Sequence, residues 1–238
     1  AEDHKIYFVE SSPTDQLQPK LQSRDYLKPG DQVAFRSPQL FLIASKKHIR
    51  IPTDEFQQQF HLGTIQWLED SSAFRFEYNE RGHQKYRVIS VDATTGKVQV
   101  IINETSPTFI DYSGKKYRYD TSDGAQIIWA SERDGWNHLY LYDAKTGKVI
   151  RQITKGKWPV REVVKVDEEN KRIYFIASGL DQDQDPYFKH YCSIDFNGKN
   201  FKRYTEENGN HKVSFSDDYQ YYVDQYSRVD MPPVTLLK

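Results

Sequence analysis

Asp143-Ala-Lys-Thr-Gly-Lys-Val149 is one of three matching turns, the others being Asp92-Ala-Thr-Thr-Gly-Lys-Val98 and Asp195-Phe-Asn-Gly-Lys-Asn-Phe201. Their glycines, Gly96, Gly147 and Gly198, stand at equal intervals of 51 residues. Each turn opens with an Asp able to hydrogen-bond its own backbone and carries a glycine that takes positive φ without steric penalty. Equal spacing of such turns is the mark of a tandem repeat.

The flanking segments repeat as well. Tyr86–Val91, His138–Tyr142 and Lys189–Ile194 lead into the turns, and Lys97–Ile102, Lys148–Ile153 and Asn200–Tyr204 leave them. One strand upstream lie Ala73–Tyr78, Ala125–Ala130 and Arg172–Ala177, with a fourth copy at Gln220–Asp224. Before these, across polar turns, come Thr64–Leu68, Lys116–Tyr119, Val163–Val166 and Lys212–Phe215. All mix β-branched and aromatic residues with polar ones, as pleated, partly buried strands do.

A unit of four short antiparallel strands recurring in tandem is a β-propeller blade, because radial packing buries sheet faces that an isolated meander leaves wet. The expectation is an all-β chain, a propeller fragment of about four to five four-stranded blades. It runs as one partial propeller domain over 1–238. A partial blade and connecting excursion occupy 1–61, blades 62–103, 115–155 and 160–206, and an incomplete last blade 210–238. Neither the Gly-His and Trp-Asp pair of WD40 repeats nor the double glycine of kelch repeats is present. The competing architecture is a β-sandwich with coincidental turn spacing. Asp54–His61 is the only short helical candidate, and 11–39, rich in Ser, Pro, Gln and charge, reads as an excursion.

Composition narrows the function classes. Lys+Arg number 33 against Asp+Glu 34, a net charge of −1, so no basic stripe argues for nucleic acid or a membrane surface. Cys192 is the single cysteine, which excludes an intrachain disulfide, and it sits in an alternating strand as a buried, inert thiol would. The apolar runs are far shorter than a membrane-crossing helix needs. The abrupt entry into Ile6-Tyr-Phe-Val9 and the unfinished strand Val234–Lys238 suggest a segment of something longer.

Three strings carry a resemblance: Trp129-Ala-Ser-Glu-Arg-Asp-Gly-Trp-Asn-His-Leu-Tyr-Leu-Tyr-Asp143, Glu104-Thr-Ser-Pro-Thr-Phe-Ile110 and Tyr78-Asn-Glu-Arg-Gly-His83. Together they resemble the propeller of the dipeptidyl peptidase IV branch of the prolyl oligopeptidase family. Val213–Asp217 and Tyr226–Leu236 are similar to its last blade, and Leu27-Lys-Pro-Gly-Asp31 followed by Pro38–Phe41 to bacterial members. The resemblance implies an eight-bladed propeller capping an α/β-hydrolase domain that releases N-terminal dipeptides, preferentially after proline. Such a hydrolase needs Gly-x-Ser-x-Gly with a later Asp and His. These 238 residues contain no Gly-x-Ser-x-Gly, so this chain is expected to be a non-catalytic portion without a catalytic residue.

The partners so implied are the C-terminal hydrolase domain and, in the intact enzyme, a peptide substrate. The parent is expected to be periplasmic or extracellular. Four blades and a remnant do not close an eight-bladed ring, so an open arc or a homodimer is expected. The family's adjacent glutamates for the substrate amino terminus are not transferred to Glu168-Glu169 or Glu206-Glu207, which fall in turns. The loop Glu104–Tyr112 is the implied substrate-side element, with Phe109 or Tyr112 as substrate-pocket residues. The alternative is a stand-alone propeller scaffold for protein or ligand binding.

No metal or cofactor is expected. Asp181, Asp183 and Asp185 alternate like calcium-loop ligands, but an EF-hand's glycine and bidentate glutamate positions hold Pro186 and Cys192. Asn137 and His138 read as partners of the preceding turn, and Trp129 and Trp136 as blade packing.

Overall fold

The computed structural model describes residues 4–28, 30–31 and 33–238. The first three residues and Pro29 of the Leu27–Asp31 stretch lie outside the described residues. Two hairpins open the chain: β1 (Lys5–Glu10) with β2 (Lys20–Asp25), and β3 (Leu40–Leu42) with β4 (Lys47–Ile49). Part of the expected excursion is thus a strand, β2. The helical candidate gives only a 3-10 turn, Asp54–Phe56, before the chain becomes β5 (Gln59–Leu62). Its three glutamines pull against that strand, but β5 pairs with β7 and the tertiary contact wins.

Four antiparallel sheets come next in chain order. The first joins β5, β6 (Gln66–Trp67), β7 (Ala73–Glu80), β8 (Lys85–Asp92) and β9 (Val98–Thr105); both β5 and β6 pair with β7. The second runs β10 (Arg118–Asp120), β11 (Gln126–Ser131), β12 (His138–Asp143), β13 (Val149–Gln152). The third runs β14 (Val160–Asp167), β15 (Arg172–Ser178), β16 (Lys189–Asp195), β17 (Lys202–Arg203). The last has three strands, β18 (Asn210–Phe215), β19 (Tyr222–Arg228) and β20 (Met231–Leu237).

The cores lie between sheets rather than inside one, which is the propeller arrangement. On β11, Ile127 and Trp129 join Tyr86, Val88 and Ile102 of the first sheet, while Ile128 and Ala130 join Ile173, Phe175 and Ala177 of the third. The side-chain period of two produces this split, so each strand of the second sheet feeds two cores. A bulge at Val88/Ile89 lets Ile101 and Ile102 enter the same core. The first sheet's other face packs Phe74, Phe76 and Val91 on Leu40, Ile51 and Phe56.

The repeat glycines have a second duty. Gly147 has φ of 72°, and a Cβ there would stand 2.6 Å from the carbonyl oxygen of Ile101 in the preceding sheet. Gly198 stands in the same relation to Ile153, at 3.1 Å. The Asp of the first two turns does what its type suggests: Asp143 Oδ1 accepts from the backbone of Lys145 and Thr146, as Asp92 does from Thr94 and Thr95. In the third turn that duty passes to Asn197, and Asp195 pairs with Arg172 instead.

Candidate functional site

β9 carries the chain to Thr105, and the connection to β10 is pinned at three points onto the β7–β8 turn. Ser106 N donates to Gln84 O at 2.9 Å, Ile110 N to His83 O at 2.8 Å, and Gln84 Nε2 to Pro107 O at 2.9 Å. Asp111 Oδ1 then accepts from Gly114 N, and that bond holds the Asp111 carboxyl below its ordinary value despite some burial.

The two aromatic residues expected on this loop are brought together but do different work. Tyr112 lies face to face with His83 at 4.4 Å and near Phe60 of β5 at 5.5 Å. It is half-buried against the first–second sheet core. Phe109 meets the edge of His83 at 5.5 Å, is 6.1 Å from Tyr112, and is 52% exposed. Tyr112 is therefore the brace and Phe109 the presented surface.

Phe109 and Ile110 form one lip of a cavity of about 260 Å³ between the first two sheets, with Lys115 and Lys116 on its rim. Its floor is charged. Buried Glu104 accepts from Trp129 Nε1 at 3.1 Å, Ser131 Oγ at 2.6 Å and Arg133 Nη2 at 2.7 Å. Arg133 also reaches the Tyr142 hydroxyl and Ser131 Oγ, and stacks over Tyr140 at 4.4 Å. Burial is the main cause that raises the Tyr142 phenol, which stays neutral beside this pair. Trp129 and Ser131 are aimed by β11 and Arg133 comes from the turn that follows it, so Glu104 has three partners. An apolar lip thus stands above a charged floor whose polar groups are satisfied. The Ser131 hydroxyl is committed to Glu104 and Arg133.

The Glu104–Arg133 pair is the feature of this cavity that sequence reasoning missed. A signal existed: Glu104 is in phase with Ile102, and Ser131 with Trp129, so alternation aims a carboxylate and a hydroxyl into one core.

Other candidates resolve as structure. His138 binds Thr154 Oγ1 and Gly156 O, both at 3.0 Å, and Asn137 Nδ2 donates to Val160 O at 2.8 Å. His138 ties the second sheet to the connection after β13 and Asn137 ties it to the first residue of β14, neither to the preceding turn, because the Asp134–Gly135 turn satisfies itself. Trp129 is buried, but Trp136 is 40% exposed rather than packed. Cys192 is buried, and burial pushes its thiol up to about 12. Asp181 pairs with Arg203 at 2.6 Å and Asp185 caps the Tyr187 amide at 2.9 Å, so they do not converge on an ion.

Glu207, His211 and Asp224 do converge, with donor atoms within 4.8 Å of one another. The Lys238 ammonium lies 2.8 Å from Glu207 and 3.1 Å from Asp224, and the His211 ring bonds Asp224 at 2.8 Å. The positive charge a metal would bring is supplied by the chain itself.

A model of the dipeptidyl peptidase IV (DPP IV) N-terminal region matches residues 3–233. Dipeptidyl peptidase 4 of Trichophyton equinum is 30% identical over 206 residues, and that of Trichophyton rubrum 29% over 208. Each alignment takes in 81% of this chain and 25% of the relative, so the chain spans about a quarter of their length. The crystal structure of Porphyromonas gingivalis dipeptidyl peptidase 4 superposes with a TM-score of 0.70 at 21% identity, covering 99% of this chain and 32% of that one. That likeness shows the fold.

Proposed function

The chain belongs to the dipeptidyl peptidase IV N-terminal region family, and we propose that it is the non-catalytic propeller portion of a serine exopeptidase that removes dipeptides from peptide amino termini. In this reading its work is to gate substrate and to dock the hydrolase domain of the parent. The parent acts in the periplasm or outside the cell.

One observation carries the substrate-side assignment. Phe109 is presented on a loop that is braced from behind by Tyr112, His83 and Phe60, at the mouth of a cavity with both an aromatic lip and a charged floor. An exposed aromatic ring held by other rings loses little entropy on binding, which suits contact with a substrate side chain.

The test uses the parent enzyme and a dipeptide-proline chromogenic substrate. Phe109→Ala is expected to raise KM several-fold with kcat nearly unchanged, because it removes binding made equally in ground and transition states. Tyr112→Ala is expected to weaken both KM and loop stability. An unchanged KM for Phe109→Ala refutes the assignment, and turnover by the 238-residue chain alone refutes the non-catalytic reading. A parent lacking any hydrolase portion would instead make this a binding scaffold.

A further inference from the structure

The sequence holds two Asn-Gly pairs, Asn197-Gly198 and Asn208-Gly209. Asparagine is thermolabile, and a following glycine exposes it most, because no Cβ keeps the next backbone nitrogen away from the side-chain carbonyl carbon. Whether that attack occurs depends on how each pair is held. The fold holds the two in opposite ways.

Asn197-Gly198 is clamped at both reacting ends. Asn197 Oδ1 accepts from Lys199 N at 2.8 Å, which fixes its amide in the turn. Gly198 N, the nucleophile, donates to Asp195 O at 2.8 Å, and Gly198 packs on the carbonyl oxygen of Ile153.

Asn208-Gly209 lies in the bend between β17 and β18 and is open. Asn208 is exposed, and among the described residues neither its side chain nor its backbone makes a hydrogen bond; Gly209 N makes none either. The glycine itself is required: a Cβ there would stand 3.1 Å from Tyr226 Cδ2 and 3.2 Å from Ser227 O. Packing on β19 thus keeps a glycine behind an unheld asparagine.

We infer that Asn208 is a self-modification site, converted to isoaspartate without an enzyme, while Asn197 stays intact. The Gly209 nitrogen attacks Asn208 Cγ, the Cγ–Nδ2 bond breaks, and ammonia leaves with the proton from Gly209 N, closing a five-membered imide. Water then opens the ring; its addition at the Asn208 main-chain carbonyl leaves the chain running through the side chain, one backbone atom longer and with a new carboxylate. The position gives this a consequence. His211 Nε2 donates to Glu207 O at 2.8 Å across the 208–209 link, and Glu207 is ion-paired with Lys238 at 2.8 Å. A longer, anionic link between Glu207 and His211 opens that closure and loosens the last sheet. The site is apart from the Phe109 cavity and independent of the exopeptidase reading.

The intact protein that carries this chain is aged for two weeks in mildly alkaline buffer and digested with trypsin, which puts the two pairs on separate peptides, His190–Lys199 and Tyr204–Lys212. Mass spectrometry with isoaspartyl-specific fragmentation is expected to find isoaspartate at Asn208 at least tenfold faster than at Asn197. In urea the two rates are expected to converge, since the fold then clamps neither. The urea midpoint of the aged protein is expected to fall, and that of aged Asn208→Ser to stay constant. Equal rates in the native protein, no isoaspartate at Asn208, a rate difference that survives urea, or an unchanged midpoint after conversion overturns the inference.

Discussion

At the scale of single residues, the glycines divide into two kinds that the sequence writes alike. Gly135 has φ of 94° and nothing within 4 Å of a built Cβ, so Ala there meets backbone strain alone. Gly147 adds the 2.6 Å approach to Ile101 O. Gly135→Ala is expected to cost about 1 kcal/mol and Gly147→Ala about 2–3 kcal/mol in urea unfolding, and equal costs would refute the inter-sheet role. His190 makes a pH prediction. Burial first, then the Arg203 and His211 charges, push it from 6.5 down to about 4. The unfolded chain takes up this proton near 6.5 and the native state only near 4. Its contribution is therefore whole above about 6.5 and drains away as pH falls towards 4. The urea midpoint should fall between pH 7 and pH 5, and His190→Asn should shrink that fall; an undiminished fall would assign it elsewhere.

At the scale of elements, the strands of the repeat were legible through their β-branched and aromatic content between turn residues, and the misreadings have physical causes. Asp54–His61 has helix-favouring composition, yet β5 is held by pairing with β7, a contact some 20 residues away that local propensity does not encode. Parity along β9 and β11 also carried the charged floor, but only a third dimension brings Glu104 to Arg133 across two sheets. Truncating Arg133 leaves the buried carboxylate without its charge partner, so Arg133→Ala is expected to cost about 3 kcal/mol by thermal or urea unfolding. The double variant Glu104→Gln/Arg133→Ala should recover part of that loss. A single-variant cost below about 1 kcal/mol would mark the pair as solvent-screened.

At the scale of the whole molecule, stacking sheets face to face leaves the end members uncovered. On β1 and β2, Tyr7 (67% exposed), Val9 (63%) and Leu21 (72%) share one face, with Val9 opposite Leu21. Such a face favours self-association. Light scattering is expected to give a mass above the 28.1 kDa of one chain at micromolar concentration, reverting to it on Val9→Lys/Leu21→Lys. A monomer at every concentration would show that these residues tolerate water. The sequence by itself determined the repeat and the strand order within each unit, because turn chemistry and alternation are local and survive in one dimension, and its strings carried the resemblance to the family. Only the tertiary structure decided that the repeat glycines sit against the previous sheet, that Phe109 is presented while Tyr112 braces it, and that Lys238 fills a metal-like cluster. Each of those depends on which sheets abut, and contacts between sheets join residues whose separation along the chain carries no local signal.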